Sequence, residues 1–225
     1  MNRLNVALCA LIVGGALAGA ALADDFFIDV PVVTTNGGNT LDGDDTITVT
    51  DTGHVITAAG SAHGLSADGN NNTLTNNGNV IAVGNEAIGL RAIGESNTLT
   101  NNGMVTMLGD LSGGLAVQGN DNTLTNSGTV ITAGDSAHAL YADGDSNTLS
   151  NSKVVLTYGS AAYGLSADGS NNTLTSSDTV RTGGSDAYGL HAVGSNNSLS
   201  NSGSVETSGQ SAHGLYTIFD SNSLY

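Results

Sequence analysis

The octapeptide NNTLTNNG at 71–78 returns as SNTLTNNG (96–103), DNTLTNSG (121–128), SNTLSNSK (146–153), NNTLTSSD (171–178) and NNSLSNSG (196–203), each 25 residues after the last. Units counted on this period begin at Ser61, Glu86, Leu111, Ser136, Ala161, Asp186 and Ser211, without insertion or deletion. A weaker unit precedes them, because TVTDTGHVIT (48–57) aligns with TLTNSGTVIT (123–132). Unbroken registration at this period marks a stacked repeat, in which no unit buries its apolar face alone and each relies on its neighbours.

Each unit holds three short alternating segments, as in GLSADG (64–69), NTLTN (72–76) and NVIAVG (79–84), separated by Gly- and Asn-rich corners. Alternation over about five residues between such corners reads as strand, and no segment has room for a helix. The expected fold is all-β: a parallel β-helix of about 7–8 coils, three short strands per 25-residue coil. Its hand should be right, as parallel crossovers prefer. Inward positions declare themselves as columns: Leu65 to Leu215, Leu74 to Leu224 and Val55 to Val205, all at steps of 25. At about 4.8 Å per coil they form three aliphatic ladders. Asn72 to Asn222 share the parity of the buried Leu two residues on, which predicts a buried corner ladder of side-chain amides. Gly69 to Gly194 should supply positive φ at a tight corner.

Outside the repeats, 46–225, the chain has two parts. Residues 24–45 read as a lead-in or cap. Residues 1–23 read as a secretory signal peptide: Arg3, an apolar run from Val6 to Leu22, then Ala21-Leu22-Ala23 before Asp24. The single cysteine, Cys9, falls inside it, so no disulfide framework is expected, and stability must come from packing and hydrogen bonds. The whole chain carries 4 basic and 20 acidic residues, a net charge of −16. That balance argues against nucleic acid and anionic membranes as partners, since both are bound through Lys and Arg. No second long apolar segment exists to cross a bilayer as a helix.

Two outward features are candidate sites. Thr48/Thr50, Thr73/Thr75, Thr98/Thr100, Thr123/Thr125, Thr148/Ser150 and Thr173/Thr175 flank inward residues and form a two-file hydroxyl array. Such an array resembles the T-x-T ladders of β-solenoid ice-binding proteins; equally, Thr simply suits an exposed strand. His138, Tyr163, Tyr188 and His213 occupy one position in consecutive coils, with His63 earlier. Stacked rings make a sugar-binding strip if exposed, but this position has the parity of the buried Leu two residues on, which predicts corner packing. No cofactor is expected. Asp42, Asp44 and Asp45 and the loops GNDN (119–122) and GDSN (144–147) offer oxygen ligands that Ca²⁺ accepts, without the G-G-x-G-x-D register of calcium repeats. A catalytic site is not expected: beyond Arg3 the basic residues are Arg91, Lys153 and Arg181, at different repeat positions, and no hydrolase or phosphate-loop motif occurs.

The phrases NTLTNSGTVITAGDSAHAL (122–140) and AAYGLSADG (161–169) resemble passenger repeats of bacterial autotransporters, and the likeness runs from about Asp45 to Leu224. It implies export by type V secretion, display on or release from a Gram-negative cell, and non-enzymatic roles in adhesion, autoaggregation or surface contact. Its implied partners are a surface receptor, a glycan or a second copy. Members of that family end in a membrane barrel, and no barrel strands follow here, so a truncated reading frame or another export route is expected. At 217–220, TIFD places Phe219 where other units have the corner glycine.

Overall fold

The computed structural model describes residues 44–225, together with the backbone of strands Leu4–Asn5, Asp25–Ile28 and Pro31–Thr34. Apart from Leu4–Asn5, the expected signal peptide lies outside the described residues. Described strands form three parallel sheets of ten, eight and seven strands, without helices. Within each sheet a strand pairs with its equivalent one repeat away, as Thr98–Asn101 does with Thr73–Asn76 and Thr123–Asn126. The chain is the expected parallel β-helix. The sheets are called here the threonine sheet (73–76 and equivalents), the valine sheet (79–82) and the ring sheet (88–93).

The three aliphatic columns fill the bore. Leu74 through Leu199, Leu90 through Leu190 and Val80 through Val180 are 0 % exposed at every step. Val205 and Leu215 in the last coil are only partly buried, and Leu224 is exposed, because no further coil covers them. Small Ala67, Ala92, Ala142, Ala167 and Ala192 keep the bore narrow beside the leucines.

Buried polar groups are mostly paired between coils, as a dry interior requires; Asn72 Nδ2 and Asn97 Nδ2 are the exceptions among the described residues. The amide N of Asn72 donates to Asn97 Oδ1 at 2.8 Å, and the same bond repeats through Asn122, Asn147, Asn172, Asn197 and Asn222 at 2.7–2.8 Å. The corner is closed by side-chain donation to the glycine carbonyl, as from Asn122 Nδ2 to Gly94 O (3.1 Å). At Gly94, φ is +126° and a Cβ would lie 2.2 Å from Gly69 O, so a side chain there requires the backbone to shift. Phe219 takes φ +81° at the equivalent place.

A second buried amide ladder was not anticipated. Asn76, Asn101 and Asn126 each donate from Nδ2 to the Oδ1 of the next asparagine at 2.8 Å, ending Asn126→Asn151→Ser176. Buried threonines at Thr57, Thr132, Thr157 and Thr182 are satisfied within their own coils, their hydroxyls donating to the carbonyls of Ala62, Ala137, Ala162 and Ala187 at 2.6–3.0 Å.

The register of the first full coil differs from expectation. His54–Thr57 pairs with Asn79–Ala82 at the 25-residue step, but Thr46–Val49 pairs with Thr73–Asn76 at 27. Thr46 and Thr48 therefore head the two threonine files, while Thr50 lies past the strand, its hydroxyl 3.3 Å from that of Thr52. Four residues, 50–53, make this corner, against Asn77-Gly78 in the next coil. A two-residue slip leaves the alternation of TITVT unchanged, so hydrophobic pattern does not discriminate the two registers. Strands Asp25–Ile28 and Pro31–Thr34 continue the same pairing into the expected lead-in.

Candidate functional site

The ring sheet carries a break in alternation that decides where its aromatic residues point. Gly64, Gly89, Gly114, Ala139, Gly164 and Gly189 precede the inward leucines and face inward too. A Cβ on Gly89 would sit 2.5 Å from Val105 Cγ1 and 2.6 Å from Gly114 O, whereas Ala139 is accommodated at 0 % exposure beside Leu140 at 0 %. Two consecutive inward residues reverse the parity of everything before them. His138, Tyr163, Tyr188 and His213 consequently lie on the outer surface, on the same side as the residues three positions on. Corner packing, the expectation from parity, is replaced by an outward file.

These rings stack along the solenoid because parallel registration sets equivalent residues one coil apart. His138 and Tyr163 are 4.6 Å apart between centroids and tilted by 12°; Tyr163 and Tyr188 are 5.0 Å apart and tilted by 8°. Tyr141, His191 and Tyr216, from the neighbouring outward file, join them. His138 meets Tyr141 at 5.5 Å, Tyr163 meets His191 at 4.5 Å, Tyr188 meets Tyr216 at 4.7 Å and His213 meets Tyr216 at 5.2 Å. Seven rings thus form one cluster across four coils, six of them part-exposed or exposed and His191 buried among them. His63 belongs to the same file but is separated from the patch by Ile88 and Gly113. Outward Ser66, Ser166 and His191 are themselves nearly covered, Ser66 by Arg91 Nη1 (3.0 Å to Oγ) and Ser166 by His191 Nδ1 (3.2 Å to Oγ).

At neutral pH His138 and His191 are uncharged. Burial, reinforced by His191, lowers the His138 pKa to about 4, and its Nδ1 accepts the Tyr163 amide at 3.0 Å, which assigns the proton to Nε2. Burial likewise takes His191 to about 4, against an opposing pull from Asp168. Tyr141 is raised to about 12 by burial and then by Asp143 and Asp168; Tyr163 and Tyr188 are also raised, by burial first. Neutral imidazole and phenol faces, edged by Asp143, Asp168 and Asp186, combine flat apolar area with hydrogen-bonding rims.

Beside the patch, the outward file Ser66, Arg91, Ala116, Tyr141 loses its bulk at Ala116 and leaves a notch of about 170 Å³. Ile88, Arg91, Ala116, Gln118, Tyr141 and Asp143 are among its walls.

The threonine sheet holds Thr73, Thr98, Thr123, Thr148 and Thr173 in one file and Thr75, Thr100, Thr125 and Thr175 in the other, with Ser150 interrupting the second. All are outward and half-exposed or exposed. On the valine sheet the outward file is aliphatic at Ile56, Ile81, Ile131 and Leu156, interrupted by Thr106 and followed by Arg181 and Glu206, and lies beside the exposed Val83, Leu108 and Tyr158. In the loops considered for Ca²⁺, side-chain oxygens accept from backbone amides: Asp145 Oδ1 from Ser170 N (2.7 Å) and Asn120 Oδ1 from Asp145 N (2.8 Å). Among the described residues no group of three or more His, Cys, Asp or Glu is placed to hold a metal ion. Arg91 pairs with Asp68, and Arg181 with Glu206. No described helix is long and apolar enough to cross a membrane.

Comparisons with protein-family models, with curated proteins and with solved structures find no match to this chain.

Proposed function

We propose that the protein is a non-enzymatic surface-contact β-helix that engages glycan chains through its ring sheet. The carrying observation is the outward ring cluster, whose His138, Tyr163 and Tyr188 stack at 4.6–5.0 Å along the tube. Rings stacked on one another turn their C–H edges and their phenol and imidazole polar atoms outward, and a linear run of such edges suits an extended polyhydroxylated polymer better than a small ligand. Export through the N-terminal segment and display outside a Gram-negative cell follow from the resemblance to autotransporter passengers. The exposed aliphatic strip on the valine sheet fits a contact role, since such strips mark interaction surfaces.

A glycan array tests the reading. Binding should appear in the parent and weaken in Tyr163→Ala and Tyr188→Ala, while an array without hits would end it. Display on a non-adherent cell should increase clumping or attachment, and failure on several surfaces would count against the contact role. The in-register threonine files favour a second reading, ice binding. Thermal hysteresis that Thr98→Tyr abolishes would support it; none in the parent would eliminate it.

A further inference from the structure

We infer that the notch at Ala116 is a subsite for a single neutral sugar ring, a chain end or branch residue of the glycan bound on the rings beside it. This rests on the glycan reading above and adds to it a place and a specificity.

The notch comes from one missing side chain. Along this file Arg91, Ala116 and Tyr141 occupy successive coils in register. One coil step is about 4.8 Å, so the Arg91 and Tyr141 side chains stand about 9.6 Å apart over a methyl group. The fold does not demand this gap. Tyr141 and Tyr216 show that the file accepts a ring, and the glycine three residues earlier, Gly113, also has room for a Cβ, whose nearest neighbour would be Ile88 Cγ1 at 3.6 Å.

Thickness selects what enters. Carbon atoms make van der Waals contact at about 3.5–4.0 Å, so a flat aromatic ring touching both walls needs only about 7–8 Å. A puckered saturated ring, with axial hydrogens on both faces, fills the remainder. The floor of Ala116 and Val117 and the Ile88 wall take its C–H surface.

Arg91, Gln118 and Asp143 line the notch with charged and amide groups, a donor on one side and an acceptor on the other. The bonds from Arg91 to Ser66 Oγ and to Asp68 Oδ1, both 3.0 Å, use Nη1, leaving Nε and Nη2 as donors. Opposite lies Asp143, whose Oδ2 accepts from Gln118 Nε2 at 3.4 Å. A hydroxyl donates to one side and accepts from the other, so a vicinal diol satisfies both. A uronate would bring its charge against Asp143 in a chain of net charge −16, and the one nearby cation is already paired with Asp68. A cationic sugar would meet Arg91. Neutral hexoses are the class that fits.

The test uses the full chain, Ala116→Tyr and Tyr188→Ala. Probes are the methyl glycosides of glucose, galactose and mannose, methyl glucuronide, and short neutral glucan, galactan and mannan oligosaccharides. Saturation-transfer NMR should show at least one neutral methyl glycoside bound by the parent and by Tyr188→Ala but not by Ala116→Tyr. Titration calorimetry should show the matching oligosaccharide bound roughly tenfold more weakly by Ala116→Tyr. Circular dichroism verifies the fold of each variant. Equal binding by Ala116→Tyr overturns the subsite; if Tyr188→Ala still weakens the oligosaccharide, the ring reading survives alone. Preference for the glucuronide overturns the charge argument. No glycan bound by the parent ends both readings.

Discussion

Replacing Asn126 by alanine removes one rung of the buried amide ladder beneath the threonine sheet. Its Oδ1 accepts from Asn101 Nδ2 at 2.8 Å, and its Nδ2 donates to Asn151 Oδ1 at 2.8 Å and to Gly128 O at 3.1 Å, with Asn126 itself at 0 % exposure. Alanine strands Asn101 Nδ2 with only the longer bonds to Gly103 O and Thr129 O, at 3.3 and 3.2 Å. It also strips a donor from Asn151 Oδ1. A buried polar group that loses its partner costs about 1–3 kcal/mol, and two groups are affected, so roughly 2–4 kcal/mol is expected. Asn126→Ser should cost about half as much, because Ser176 fills this position two coils on and still receives Asn151 Nδ2 at 3.2 Å. The control is Asn102→Ala, which removes an amide bond of the same 2.8 Å length to Asn77 on the exposed corner and should change stability by no more than about 0.5 kcal/mol. Urea unfolding of the three variants, with amide exchange at 99–101 and 124–126 to localise the loss, measures the differences. If Asn126→Ala proves no more destabilising than Asn102→Ala, the ladder contributes nothing and the reasoning fails.

Other outcomes follow from the same geometry. His138 and His191 titrate near 4 when folded against an ordinary 6.5, so the unfolded chain binds more protons between those values. Stability is therefore full above about pH 6.5 and falls as pH drops towards 4; His138→Tyr should flatten that fall in a series of urea midpoints. Gly94→Ala forces a Cβ to 2.2 Å from Gly69 O at φ +126° and should cost at least about 1–3 kcal/mol, whereas Gly113→Ala meets only ordinary contacts and should be neutral or slightly stabilising. Leu124→Ala, at 0 % exposure in the middle of its column, should cost about 2–5 kcal/mol in the same assay.

Coil length, strand number and the three aliphatic columns were legible because a 25-residue period prints each inward position several times. The Asn72 ladder was legible for the same reason and by its parity with Leu74. Asn76, at the end of the segment NTLTN, has that parity too, but its column gives way to Ser176, whereas Asn72 recurs in every unit. At Thr48 and Thr50 the pattern was silent, since alternation survives a shift of two. The ring file was misjudged through a rule carried too far: alternation was extended across Gly64, Gly89 and Gly114, where the backbone turns two successive residues inward. A signal existed. The position before each inward leucine holds only Gly or Ala in every unit, as expected where a Cβ points at a core valine. The notch at Ala116 had no pattern of its own, because it is a departure from the repeat in a single coil.

Whether the rings face solvent is tested most directly by thiol accessibility in a Cys9→Ser background, comparing Tyr163→Cys with Leu165→Cys. Simple alternation puts these two on the same side of the strand; the break at Gly164 puts them on opposite sides. Rapid modification of position 163 by a bulky maleimide under native conditions, with position 165 protected until urea unfolds the chain, is the predicted result. Equal protection, or equal reactivity, at the two positions would contradict the account.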